Sequence, residues 1–201
     1  MMLGMDDVAL DTRDLLARAA TATRVVVVGV RADQLDGPTP CSDFTVRDLL
    51  THLIEAVVSL GSIGADGATP EIAPIGSDTS AVLEAYDVAV ASTLEVWRAE
   101  GAMEREYAAP WGPSSADQLL RFLVLEILVH GWDLATATEQ VPPADTRVAG
   151  AAYDWAVRAI DDRARIRGVY GPEVPVASDA AAIDRLAGFL GRSPRWRSEH
   201  P

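Results

Sequence analysis

Glu126, His130 and Asp133, in the stretch LVLEILVHGWDLATATEQ (123–140), are side chains of types that do chemistry. Read as a helix of about 100° per residue, they fall within about 60° of one another. Leu119 and Leu123 share that face, so a polar triad sits on the core-directed side of a segment that is apolar almost all round. An ionised carboxylate in such a place is costly unless something compensates its charge. Glu and His at i and i+4 point the same way one turn apart, and both can ligate one divalent cation. A hydrogen bond between Glu126 and His130, or an arginine facing the glutamate, would compensate it too, so spacing alone leaves metal pair and structural pair open. Asp133 also reads two ways: as an acceptor that orients His130 or a bound water, or as a structural acid that caps or pairs with an arginine.

The chain has three histidines, and His200 lies in a terminal tail. His52 is the other internal one. Its segment carries an apolar stripe centred near Leu53 and Val57, and His52 lies off that stripe beside Thr45, Ala56 and Ser59. It faces either solvent or a cleft at the stripe's edge. Cys41, in a TPC turn, invites a redox or nucleophile reading, but no base is assigned to it, and a small apolar brace for the turn is the simpler role. Trp132 reads as packing, and Arg47 and Asp48 as surface or capping residues. Trp111 and Tyr170 are candidates for a pocket mouth.

Helices must position these groups. The first is expected from about Asp6 to Val30, with Val8, Leu10, Leu15, Leu16 and Ala19 near its apolar side. Its end, RVVVVGV (24–30), has the β-branched content of a buried strand, but no partner strand is evident nearby and the segment is read as helix. The second opens at Thr45, where Thr45-x-x-Asp48 resembles a capping box, and stops near Gly61. A flexible loop covers 61–77, a third helix Thr79 to Ala99, and an extended connector or short strand lies between Gly101 and Gly112. The fourth helix follows a Ser115-x-x-Gln118 capping box and reaches Thr138. A fifth covers Thr146 to Arg167, and a short one runs from Asp179 to Leu190. Glycines and prolines gather at the joints, which argues for an up-down bundle.

Composition narrows the function. At 201 residues the chain suits one domain spanning 1–201, with a bundle core over about 6–138 and C-terminal helices over about 146–190. Thirty acids against seventeen bases give a net charge of −13, a balance that repels phosphate backbones, and no nucleic-acid partner is expected. All of the bases are arginine. No run approaches the roughly 18 apolar residues of a membrane span; the greasiest, Phe122 to Val129, is broken by Glu126. The opening MMLGMDDVALDTRD lacks the basic start of a signal peptide. One cysteine cannot form an intrachain disulfide, and a reducing, cytoplasmic setting is expected.

The segments TPCSDFTVRDLLTHLIEA (39–56) and LVLEILVHGWDLATATEQ (123–140) resemble the actinobacterial group whose prototype is the mycothiol-dependent maleylpyruvate isomerase, within the DinB-like, or YfiT-like, superfamily. The pieces YGPEVPV (170–176) and AIDRLAGFLGRSPRW (182–196) resemble the group's C-terminal signature, so the likeness spans nearly the whole chain. Phe44 stands where the group more often has tryptophan. The isomerase has a further C-terminal domain that contributes to its active site, and this chain is expected to lack it.

The resemblance implies an all-α fold, a DinB-like up-down four-helix bundle with additional C-terminal helices. It implies a divalent metal held by His52, Glu126 and His130, with Asp133 as a candidate supporting residue. Two imidazoles and a carboxylate suit zinc first, with nickel or another first-row ion as the alternative. The co-substrate it implies is mycothiol, and the partners a small-molecule thiol and an electrophile; a homodimer stays open. The leading expectation is a metal-dependent S-transferase or isomerase-like enzyme. The alternatives are a non-catalytic metal-binding or stress-related protein and a metal-free structural bundle.

Overall fold

The computed structural model describes residues 10–65, 72, 75–143, 145–166 and 169–197. Asp6 and Val8, the expected start of the first helix, and the tail residue His200 lie outside them.

Each long helix begins where a short polar side chain takes the first free amide protons. Helix α1 (Thr12–Gly29) follows Asp11, whose carboxylate accepts from the Arg13 N–H. The expected capping boxes of α2 (Val46–Gly64) and α4 (Ala116–Ala137) both form, Thr45 with Asp48 and Ser115 with Gln118. Asp78 caps α3 (Thr79–Arg98) and Asp145 caps α5 (Thr146–Ala159). The valine run stays helical, with Val26, Val27 and Val30 buried while Val25 and Val28 are exposed. That spacing is the helical period, not the alternation of a strand.

The four long helices form the bundle: α1 packs on α4 and α3, and α2 on α3 and α4. Helix α2 buries Leu49, Leu50, Leu53, Ile54 and Val57, while α4 is buried on nearly every side because the C-terminal elements cover its outer face. Close approach of α1 to α4 depends on Gly131, where a Cβ would lie 2.6 Å from Thr23 Oγ1. The expected extended connector is a hairpin, β1 (Glu106–Ala109) antiparallel to β2 (Gly112–Ser115), pairing Glu106 with Ser115 and Ala109 with Gly112. Its last residue is the N-cap of α4, so Trp111 at the hairpin's tip packs against Phe122, the ring planes tilted by 48° and the centroids 4.8 Å apart.

Four boundaries differ from the sequence expectation: helix α1 starts at Thr12, so that Leu10 and the cap Asp11 precede it, because Asp11 takes the first amide proton. Helix α2 runs on to Gly64, past Gly61. The expected fifth helix is two: α5 ends at Ala159, Ile160 is extended, and α6 (Asp162–Ile166) begins beyond it. Two aspartates at 161 and 162 explain the break, since acids are unfavourable at a helix C-terminus and favourable at the next N-terminus. The last helix, α7 (Ala182–Phe189), starts later than Asp179 and packs on α5 and α4. Among the described residues no helix is long and apolar enough to cross a membrane.

Candidate metal centre

Helix α2 supplies His52, and α4 supplies Glu126, His130 and Asp133 from one face. The packing of α2 on α4 brings them together. Glu126 Oε2 lies 3.3 Å from His130 Nε2 and 3.6 Å from His52 Nε2, and the ligand atoms of the three residues lie within 4.8 Å of one another. His52 therefore turns toward Glu126 with 36% of its side chain exposed, while Glu126 and His130 are largely buried. Phe44 stacks on the His52 ring at 5.1 Å, and the two imidazoles meet edge to face at 4.9 Å.

Asp133 lies between His130 and Arg192. Its side chain is fully buried, and Oδ2 lies 3.1 Å from His130 Nδ1 and 3.1 Å from Arg192 Nη2. The aspartate thus contacts the imidazole and pairs with an arginine. Arg192 also donates to the Leu190 carbonyl and lies 3.9 Å from Cys41 Sγ. Arg192 went unassigned in the sequence. The available signal was a basic residue directly after the glycine that ends the last helix, within the C-terminal signature.

A glycine crossing delivers Arg192. Gly191 has φ +91°, and a Cβ there would lie 2.6 Å from the Gly171 Cα. The segment after α7 and the segment at 170–171 can touch because Gly191 lacks a side chain and adopts a positive φ. Their neighbours, Arg192 and Tyr170, are both buried at this end of the bundle.

The electrostatics follow from this packing. Burial pushes the Glu126 carboxyl up, but hydrogen bonds and charge from His130 and His52 outweigh it and hold it at about 2. Burial opposes charge on His130, and Asp133 and Glu126 outweigh that in turn, raising it to about 9. Burial raises the Tyr170 hydroxyl, and the Glu126 charge adds to it. Cys41 is also raised, first by burial, with Arg192 pulling the other way. A raised, half-buried thiol is not an activated nucleophile, which agrees with the brace role.

The donor set fits a divalent ion. Two imidazole nitrogens converge on one carboxylate oxygen, and each is an atom that ligates metals. Cys41, His130 and Asp133 also lie within 4.8 Å of one another, but Asp133 there is engaged by the Arg192 guanidinium, which would repel a cation. The first set is the better one. Of the remaining candidates, Asp48 caps α2, Arg47 pairs with Asp36 and donates to the carbonyls of Ile75 and Gly76, and Trp132 donates its indole N–H to Asp184. Trp111 and Tyr170 line one cleft, discussed below.

The model of the mycothiol maleylpyruvate isomerase N-terminal domain matches residues 16–135. Two uncharacterized proteins of Mycobacterium tuberculosis, from strains CDC 1551 / Oshkosh and ATCC 25618 / H37Rv, are each 32% identical over 179 residues, covering 89% of this chain and 96% of theirs. Crystal structures of the mycothiol-dependent maleylpyruvate isomerase and of a histidine-to-alanine mutant superpose with a TM-score of 0.56, at 17% and 18% identity, over 80% of this chain and 76% of theirs. The bundle is thus of the all-helical DinB-like class. Within that class, the chain belongs to the mycothiol maleylpyruvate isomerase N-terminal domain family. The matched span contains His52, Glu126, His130 and Asp133, and excludes Tyr170 and Arg192.

Proposed function

We propose that the protein is a metal-dependent, thiol-using enzyme, an S-transferase or isomerase-like catalyst that takes mycothiol as co-substrate. The convergence of His52 Nε2 and His130 Nε2 on Glu126 Oε2 carries the metal half of this reading, and family membership supports the thiol half. Zinc is the first choice, with nickel or another first-row ion as the alternative. When bound, such an ion favours the thiolate form of a low-molecular-weight thiol at neutral pH.

The chain's own residues do the rest. Asp133 holds a proton on His130 Nδ1, which turns the free pair of Nε2 toward Glu126. Arg192 balances the Asp133 charge, so that Glu126 is left as the anionic ligand. Phe44 fixes the His52 ring plane. His52, the most exposed of the three, is the side from which a thiol approaches.

Metal content of natively purified protein tests the site: zinc or nickel near one per chain in wild type and a clear loss in His52→Ala. Equal, negligible content in both would end the metal reading. Metal-loaded protein mixed with mycothiol and monochlorobimane should give conjugate above the His130→Ala control. Retained metal without turnover, across electrophiles, would indicate a non-catalytic metal-binding protein instead.

A further inference from the structure

A cleft of about 770 Å³ opens between the β-hairpin, the start of α4 and the end of α5. Its walls are aromatic: Trp111, Phe122, Trp155 and Tyr170 all line it. Trp111 is 54% exposed, yet it is held in place, packed at a 48° tilt against Phe122 with its indole N–H donated to Ser114 Oγ at 3.0 Å. An exposed indole fixed over a second ring is a surface built to receive something flat and apolar. Small-molecule sites of this kind span about 300–1,000 Å³ with few polar groups, and this cleft is of that size.

Its position ties it to the metal centre. Phe122 and Glu126 are four residues apart on α4, on one face and one turn from each other. The Tyr170 side comes from the glycine crossing that also delivers Arg192. Asp161 is the one charged side chain among the described lining residues, and none of those residues is basic. A flat ring finds four aromatic faces or edges to pack against in those walls.

We infer that this cleft is the acceptor subsite and that its substrate class is a planar aromatic electrophile. The inference rests on the thiol-using reading above. In a transfer to an aryl or benzylic halide, the thiolate sulfur forms the C–S bond as the C–halogen bond breaks. The halide leaves with the bonding pair, and the thiol's proton passes to solvent. Ring packing on Trp111 and Phe122 holds the acceptor about one turn of α4 from Glu126.

Binding without reaction tests the subsite separately from the chemistry. The probe is 1,3-dinitrobenzene, a neutral arene without a leaving group, titrated into the full chain by calorimetry, with maleate as the dicarboxylate comparison. Saturable arene binding is expected, with no detectable maleate binding, and His52→Ala should bind the arene as wild type does. Phe122→Ala should weaken arene binding by about fivefold or more, as expected for loss of an aromatic contact. Because Phe122 also packs against the core, the second variant is Ala159→Glu, which places a charge at an exposed lining position and should weaken binding similarly with an unchanged circular-dichroism spectrum. Maleate binding as tightly as the arene, or arene affinity unmoved in both variants, overturns the subsite. Arene binding that both variants weaken, without thiol turnover on any electrophile, upholds the subsite and overturns the thiol reading instead.

Discussion

Replacing Asp133 by asparagine removes a negative charge on which two partners depend, and the consequences can be separated. The carboxylate is fully buried, with Oδ2 at 3.1 Å from both Arg192 Nη2 and His130 Nδ1. Arg192 is itself largely buried, so Asp133→Asn leaves a guanidinium without its counter-charge, a loss of about 3–5 kcal/mol. For a chain of this size, at roughly 2–4 °C per kcal/mol, Tm should fall by about 6–20 °C. The second consequence falls on His130: the amide accepts more weakly from Nδ1–H, and the imidazole becomes a poorer ligand. Loss of such a supporting acceptor typically weakens metal binding about 10–100-fold. Adding Arg192→Met to Asp133→Asn removes the stranded charge and should recover most of the stability, but not the metal affinity. Thermal unfolding of chelator-stripped protein and zinc competition against a chromophoric chelator read the two effects. A zinc Kd within about threefold of wild type in Asp133→Asn would refute the orienting role and leave Asp133 a partner of Arg192 alone.

Other outcomes follow from the same geometry. Gly191→Ala, at φ +91° with a Cβ 2.6 Å from the Gly171 Cα, should cost about 1–3 kcal/mol and weaken metal binding by displacing Arg192; unchanged unfolding would show that the crossing tolerates a side chain. The stability of metal-free protein should depend on pH through two groups. Glu126 is depressed from 4.5 to about 2, so its contribution is present above 4.5 and lost as pH falls toward 2. His130 is raised from 6.5 to about 9, so its contribution is full below 6.5 and lost as pH rises through 9. A bound ion displaces the His130 proton, so the added stability from zinc should grow over that same upper window; denaturant melts with and without zinc that stay parallel from pH 6.5 to 9 would count against the ligand assignment.

Much of the bundle was legible because its signals are local. The capping boxes at Thr45 and Ser115 mark helix starts within one residue, since the cap is a bond between side chain and backbone three residues apart. The valine run was ambiguous in composition and is resolved only by which valines are covered, a tertiary fact. Glu126 and His130 were visible from their spacing, but whether they faced a metal, each other or an arginine was not. His52 lay off its helix's apolar stripe, and only the packing of α2 against α4 shows that this side faces Glu126. Arg192 lies 59 residues from Asp133 in the chain, and no local pattern announces a pair at that separation. The contact depends on two backbones crossing at Gly171 and Gly191.

That long-range contact divides the site into two parts. The bundle helices carry all three candidate ligands and Asp133, on rigid elements whose relative position is fixed by a continuous core. Arg192, Tyr170 and Trp155 come from the C-terminal elements, beyond the span matched by the family model. Substitution in those elements can reshape the cleft wall without moving the ligands, because Trp155 and Tyr170 stand on α5 and the loop before α7, while His52 and Glu126 stand on α2 and α4. Arg192 is the exception, since its charge reaches the ligands through Asp133. Changes at Trp155 should therefore alter acceptor affinity at constant metal affinity, whereas changes at Arg192 should alter metal affinity as well. Residues of one short C-terminal region thus separate by the path through which each reaches the site.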